Sequence, residues 1–266
     1  MNLIHGFTPR ATLLPFHCPS ITEEDVEMVT RVLRSGWLTT GPEATQFERE
    51  FAAYVGADHA VAVSSCTAGL HLALRALGVG NRPSLWDRQP VYDDVIVPTL
   101  TFTASASEVL HAGGSVVLAD VDPLTFNLSV STVEQAFAVQ LAAIVFVDYG
   151  GSPSWLLSVL GWARDAVHST PVLEDAAHAL PADLDLGHGH IARVGAVSDA
   201  TVFSFYATKT LCTGEGGMIT TNDATVVTRV RTAACHGVDR DTYQRSRTAL
   251  VHYSVIQEGY KYNLPD

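Results

Sequence analysis

The 266 residues carry 28 acidic side chains against 16 basic ones, a formal charge of −12 at pH 7, which favours solubility and works against a nucleic-acid backbone as partner. The length suffices for one large or two small domains around a substantial core. Cys18, Cys66, Cys212 and Cys235 show neither metal-ligand nor disulfide-framework spacing, no export signal is visible, and no apolar run reaches the ~20 residues of a membrane span, so reduced thiols in a cytoplasmic protein are the simplest reading.

Along the chain, helix and strand signals alternate. Residues 22–35 are predicted as a helix: Thr22 opens it with Asp25 in the capping-box position, Val26, Val29, Val32 and Leu33 share a face, and Gly36 stops it. A second helix carries Phe47, Phe51, Tyr54 and Val55 before Gly56. The alternating run 59–63 reads as a strand, and a helix from about Thr67 to Leu77 follows it. Residues 80–92, rich in Asn, Arg, Pro and Trp, form the one insertion-like loop. Short apolar strands are predicted at 94–97, 115–119, 143–147, 171–173, 200–203 and 217–220, separated by segments long enough for helices. Repeated strand-helix units give an α/β fold with a mainly parallel sheet covered by helices on both faces. Asp183, Asp185, His188 and His190 lie close together in a stretch read as irregular. Imidazole and carboxylate bind zinc, but a glycine-containing loop lacks the rigid supporting groups of a metal site, and a solvated polar loop is the better reading.

Three segments carry chemistry. Lysine is scarce, and Lys209 lies in Ser204-Phe205-Tyr206-Ala207-Thr208-Lys209, followed by Gly214-Glu215-Gly216-Gly217. A lysine amine condenses with an aldehyde or ketone to a Schiff base, and packed surroundings depress its pKa; a lone lysine anchoring a loop is the alternative. Glu174-Asp175-Ala176-Ala177-His178 follows the apolar Pro171-Val172-Leu173, which places Asp175 at the carboxyl end of a buried strand, facing the ligand crevice of an open α/β sheet. There it suits the ring nitrogen of pyridoxal phosphate, or else it caps a helix before Ala176. Ser64-Ser65-Cys66-Thr67-Ala68-Gly69-Leu70 joins a strand to a helix. The amides of Cys66, Thr67 and Ala68 and the Thr67 hydroxyl can seat a phosphate at the positive helix end, with Ser204 adding a hydroxyl; an ordinary serine cap is the bland reading.

Taken in order, the Ser-Cys-Thr-Ala turn, the run from Asp94 through Pro98 to Thr101-Phe102, Glu174 to His178, and Ser204-Phe205 with Lys209 and the Gly-Glu-Gly-Gly segment resemble the DegT/StrS-type sugar aminotransferases. The resemblance runs from Gly36 to Asp266. It implies the aspartate-aminotransferase-like large domain (fold type I), pyridoxal phosphate as cofactor, and transfer of an amino group, usually from L-glutamate, to a nucleotide-linked keto sugar. It makes Lys209 the Schiff-base lysine, Asp175 the ring-nitrogen partner, and His178 the neighbour of the cofactor's 3-oxygen. Phe102 becomes the aromatic stacked on the ring, with Ser204, Cys66 and Thr67 at the phosphate; a Phe in that place is otherwise simply core. Sugar dehydratases on this fold typically have a histidine in place of the lysine, which this chain keeps.

The segment from Gly259 to Asp266 resembles the start of a motif that continues into a helix and a smaller C-terminal domain, leaving residues 1–266 as the large domain with an N-terminal segment. Members of the family are homodimers in which the Asn of this motif, here Asn263, reaches the partner's cofactor phosphate. The second reading is accordingly a truncated fragment that binds cofactor, or is inert, without turnover.

Overall fold

The computed structural model describes residues 10–80, 93–137, 141–165, 169–239, 243 and 252–266; the insertion-like stretch 81–92 lies outside them. α1 (Glu23–Ser35) opens on the expected capping box, with the Asp25 amide donating to Thr22 Oγ1 at 3.3 Å and the Thr22 amide to Asp25 Oδ2 at 2.7 Å. Gly36 closes it in the left-handed region at φ 77°, which glycine reaches without a Cβ clash. None of its residues is buried, and Val26, Val29 and Leu33 are exposed. α2 (Pro42–Val55) does bury its apolar stripe of Phe51, Ala52 and Val55. Its N-terminal amides are held by a carboxylate from far along the chain: Asp266 Oδ1 accepts from Gly41 at 2.7 Å and Ala44 at 3.0 Å.

The remaining described elements are β1 (His59–Val63), α3 (Cys66–Leu77), β2 (Asp94–Pro98), α4 (Ala104–His111), β3 (Ser115–Ala119), α5 (Val130–Ala136), β4 (Leu141–Val147), α6 (Leu156–Ala163), β5 (Val172–Asp175), β6 (Asp183–Gly187), β7 (His190–Arg193), β8 (Ala200–Ser204), β9 (Gly217–Thr221) and α7 (Ala224–Ala234). Seven strands form one sheet in the order β1-β9-β8-β5-β4-β2-β3. Only β9 runs antiparallel, to both β1 and β8, so the other six share one direction. Strand alternation sorts the core into two layers. Ile96, Ile144 and Phe146 pack with Phe51 of α2 and Leu156 and Val159 of α6, while Val95, Val97 and Val145 pack with Leu70 and Leu74 of α3 and Val230 of α7. Helices on both faces bury the central strands almost throughout, which is why these runs read as apolar rather than alternating, while the edge strand β3 stays largely part-exposed.

The approach of α3 to the sheet depends on Gly69. A Cβ there would lie 2.6 Å from Val202 Cγ1 and 3.3 Å from Val63 Cγ2. Gly69→Ala gains about 1 kcal/mol of helix propensity but overpacks the contact at about 1–3 kcal/mol. A lower thermal midpoint is expected, at about 2–4 °C for each net kcal/mol lost. An unchanged or raised midpoint would show that Val202 yields without cost.

The region of Asp183 to His190 corrects the sequence reading. It is a hairpin rather than an irregular loop: β6 pairs antiparallel with β7, Leu184 opposite Ala192. Gly187, His188 and Gly189 take the turn at φ 82°, 54° and 80°. Leu184 is buried while Asp183 and Asp185 face outward, an alternation with a Gly-His-Gly turn that marks a hairpin in the sequence itself. Among the described residues no three His, Cys, Asp or Glu side chains converge as a metal site.

Candidate active site

The parallel direction of six strands brings their carboxyl ends to one edge of the sheet, where an open α/β fold binds ligands. β1 leads into the start of α3, β2 into Phe102 and α4, β5 ends on Asp175, and β8 ends on Ser204. At the first of these, Ser65 caps α3, its Oγ accepting from the Ala68 amide at 3.0 Å. The amide of Ala68 is therefore engaged by its own helix, against the expectation that it serves a phosphate. The amides of Cys66 and Thr67 remain at the helix start, Thr67 exposed, where no i−4 carbonyl reaches them. Gly217, opposite both Val63 and Ser204, lets this helix end come down on the sheet, because a Cβ there would stand 2.7 Å from the Cys66 nitrogen. The α3 terminus and the Ser204 end of β8 thus come together across β9.

Asp175 is buried at 6% exposure, and no helix follows it. Its carboxylate instead takes three donors: Ser105 Oγ to Oδ2 at 2.8 Å, the Ala177 amide to Oδ1 at 3.2 Å, and the Cys66 thiol to Oδ1 at 3.9 Å. Burial pushes the Asp175 carboxyl up, while the Ser105 hydroxyl, the Ala177 amide and the charges of Lys209 and His178 draw it back. Burial also drives the Cys66 thiol well up, with the Asp175 charge second, so Cys66 stands as a neutral donor. Phe102, at 74% exposure, presents its ring to the outside between β2 and α4 rather than entering the core. His178 is exposed, and lost hydration, followed by the Lys209 charge, holds its imidazole below the ordinary value.

Lys209 rides on a loop closed at its base. Phe205 donates its amide to Gly216 at 2.9 Å and Ala207 to Gly214 at 3.1 Å, and the Lys209 amide bonds Tyr206 at 2.8 Å. Phe205 is fully buried and packs its ring 5.3 Å from Phe47 and 5.5 Å from Phe51. Partial burial lowers the Lys209 pKa, against the opposing charge of Asp175, which lies near enough to act on it. The structure therefore brings Lys209, Asp175, Cys66 and His178 into one electrostatic neighbourhood, with Ser204 at the end of β8 and Thr67 in the first turn of α3 beside it.

Beneath this layer lies a carboxyl pair that the sequence reading missed. Asp148, at the end of β4, and Glu174 are buried at 2% and 0% exposure. Ser198 and Thr201 donate to Glu174 Oε2 at 2.9 and 2.7 Å, while Oε1 and both Asp148 oxygens lack a donor. Burial, with the Glu174 charge beside it, pushes Asp148 well up, and burial raises Glu174 too against its Thr201 and Ser198 donors, so a proton on this pair falls to Asp148 first. A carboxyl raised on folding contributes stability that is complete below about pH 3.9 and declines as pH climbs towards the native value. Asp148→Asn supplies a donor at every pH. The melting difference between Asp148→Asn and the parent should thus shift in favour of the variant between pH 5 and pH 9. A constant difference would mean that Asp148 is ionised throughout.

Asn263 sits on the free edge of the sheet, bridged to Val63 of β1, with the Ser64 amide bonded to the Tyr262 carbonyl at 2.7 Å. Its side chain donates to Thr40 Oγ1 at 2.6 Å and accepts from Lys261. A cavity of about 240 Å³ opens beside it, lined by residues including Thr40, Glu48, Arg231 and Asn263 but none of Cys66, Asp175 or Lys209.

A mainly parallel seven-stranded sheet with helices on both faces is the architecture of the fold type I aminotransferases, the class of the protein's structural neighbours. Residues 19–266 match the DegT/DnrJ/EryC1/StrS aminotransferase family, and the chain belongs to it. It is 42% identical over 258 residues to the spore coat polysaccharide biosynthesis protein SpsC of Bacillus subtilis, covering 97% of this chain and 62% of that protein. Among solved structures it is similar to PseC of Helicobacter pylori, an aminotransferase of pseudoaminic acid biosynthesis, at TM-score 0.79 and 27% identity, over 93% of this chain and 60% of that one. A sugar aminotransferase of Streptococcus pneumoniae in its PLP form matches at TM-score 0.77 and 31% identity, over 94% and 63%. The chain thus spans less than two thirds of the length of these relatives.

Proposed function

We propose that the protein is a pyridoxal-phosphate-dependent transaminase that carries an amino group from L-glutamate to a nucleotide-linked keto sugar. The carrying observation is Lys209 in the electrostatic neighbourhood of Asp175, a buried carboxylate with three donors at the end of a parallel strand. These residues fit the cofactor: a depressed amine for covalent attachment, a desolvated carboxylate for a cationic ring nitrogen, and a helix start with two amides outside the intrahelical ladder for phosphate.

Bound there, pyridoxal phosphate supplies an electron sink that makes the C–H bond beside the substrate nitrogen acidic. Lys209 would hold the cofactor covalently through its amine, and the same amine, once free, would serve as the site's proton carrier. Asp175 would be the partner of the ring nitrogen, His178 the neighbour of the 3-oxygen, and Phe102 the aromatic for the ring. Cys66, Thr67 and Ser204 hold the phosphate. Asn263, on the outer edge of β1, serves the phosphate site of a second copy in a cytoplasmic homodimer, exchanging its Thr40 bond for that contact. Residues 1–266 act as the large, cofactor-binding domain.

The test offers the cofactor-loaded protein L-glutamate with a panel of nucleotide-linked keto sugars and measures 2-oxoglutarate and amino sugar together. Stoichiometric appearance of both supports the proposal. Firm cofactor binding without transfer to any sugar in the panel would leave a binding role and overturn the transaminase reading.

A further inference from the structure

We propose that Ser105 is a positioning residue for the Asp175 carboxylate, acting at the head of α4 as the last member of a directed hydroxyl chain from Thr101. The inference rests on the role given above to Asp175. Ser105 is 1% exposed and donates through Oγ to Asp175 Oδ2 at 2.8 Å, across 70 residues of sequence. A carboxylate only accepts, so the single hydroxyl proton of Ser105 is committed to it. Thr101 Oγ1 lies 2.6 Å from Ser105 Oγ, and with that proton committed Thr101 must be the donor. The chain runs one way, Thr101 to Ser105 to Asp175.

A serine in the first turn of a helix ordinarily serves its own amides. Here α4 has no side-chain cap bond at Thr103, and the Ser105 hydroxyl turns instead to β5. With Oδ1 held by the Ala177 amide and the Cys66 thiol and Oδ2 by Ser105, the carboxylate cannot rotate about its Cβ–Cγ bond without losing a donor. The chain fixes the plane in which Asp175 offers itself to a ring nitrogen. It also stabilises the ionised form in a site where burial opposes it.

Ser105→Ala should lower the half-reaction rate with glutamate by about 10–100-fold, the scale of one hydrogen bond to a buried charge, while cofactor affinity changes by less than about 3-fold. The ¹⁵N resonance of labelled pyridoxal phosphate in the protein should move towards the unprotonated ring. Ser105→Thr should restore both signals, and Thr101→Val, which leaves the direct donor in place, should lower the rate less than Ser105→Ala. Combined with Asp175→Asn, Ser105→Ala should add less than about 2-fold, since both remove one interaction. A parental rate and ¹⁵N shift in Ser105→Ala, with Asp175→Asn crippled, would overturn the inference alone; parental behaviour of Asp175→Asn would instead overturn the role of Asp175. If Ser105→Ala does not fold, the Thr variants decide: a parental ¹⁵N shift and rate in Thr101→Val together with a lost rate in Ser105→Thr would sink the chain as drawn.

Discussion

Lys209→Ala is expected to abolish amino transfer, with proton carriage alone accounting for about 10²–10⁴-fold of the loss. Covalent attachment goes with it. Borohydride reduction of the loaded parent should fix the cofactor to the peptide containing Lys209, and the variant should show no adduct by mass spectrometry. Burial lowers the Lys209 pKa, so capture of the cofactor by the empty protein should rise with pH and level off below the range of an ordinary lysine near about 10.4. An adduct at Lys261, whose amine bonds Asn263 in the structure, would overturn the assignment.

Asp175→Asn is expected to hold the cofactor but to slow the half-reaction with glutamate by about 10²–10³-fold, the loss seen when a preorganised charge partner is removed from a buried site. The amide is nearly isosteric, and its NH₂ must face a donor in either orientation, the Ser105 hydroxyl at the Oδ2 position or the Ala177 amide at the Oδ1 position. Rapid mixing with glutamate, followed by absorbance of the bound cofactor, separates the two effects. Parental rates would reduce the carboxylate to a structural role.

The local parts of this site were legible in the sequence, and its long-range parts were not. Lys209, Asp175 and the Cys66-Thr67 turn are marked by residue type beside strand signals, and each predicted strand lies within two residues of an observed one. Asp175 proved to end a strand, not to cap a helix, because Ala177 and His178 behind it form a turn. Ser105 was missed because its partner lies 70 residues away and only the parallel register of β2, β4 and β5 brings the two together. Asp148 and Glu174 were missed for the same reason: two ordinary acidic residues become a proton-sharing pair only when adjacent strands are buried side by side. The Ala68 amide was misread because Ser65 caps its own helix. The apolar face of α1 was legible as a pattern, yet pattern alone does not say that the face is left uncovered.

The carboxylate of Asp266 that closes the start of α2 has a consequence for how the chain is made. Its partner Gly41 lies 225 residues earlier, so at synthesis rates of about 5–20 residues per second α2 leaves the ribosome roughly 11–45 s before its cap exists. For that interval its first amides must be served by water. The β1 edge waits nearly as long, roughly 10–40 s, for the bond from Ser64 to Tyr262. The amino-terminal part of the sheet is thus made early but sealed late, and until Tyr262 is made the nascent chain carries an open strand edge, a site prone to wrong pairing.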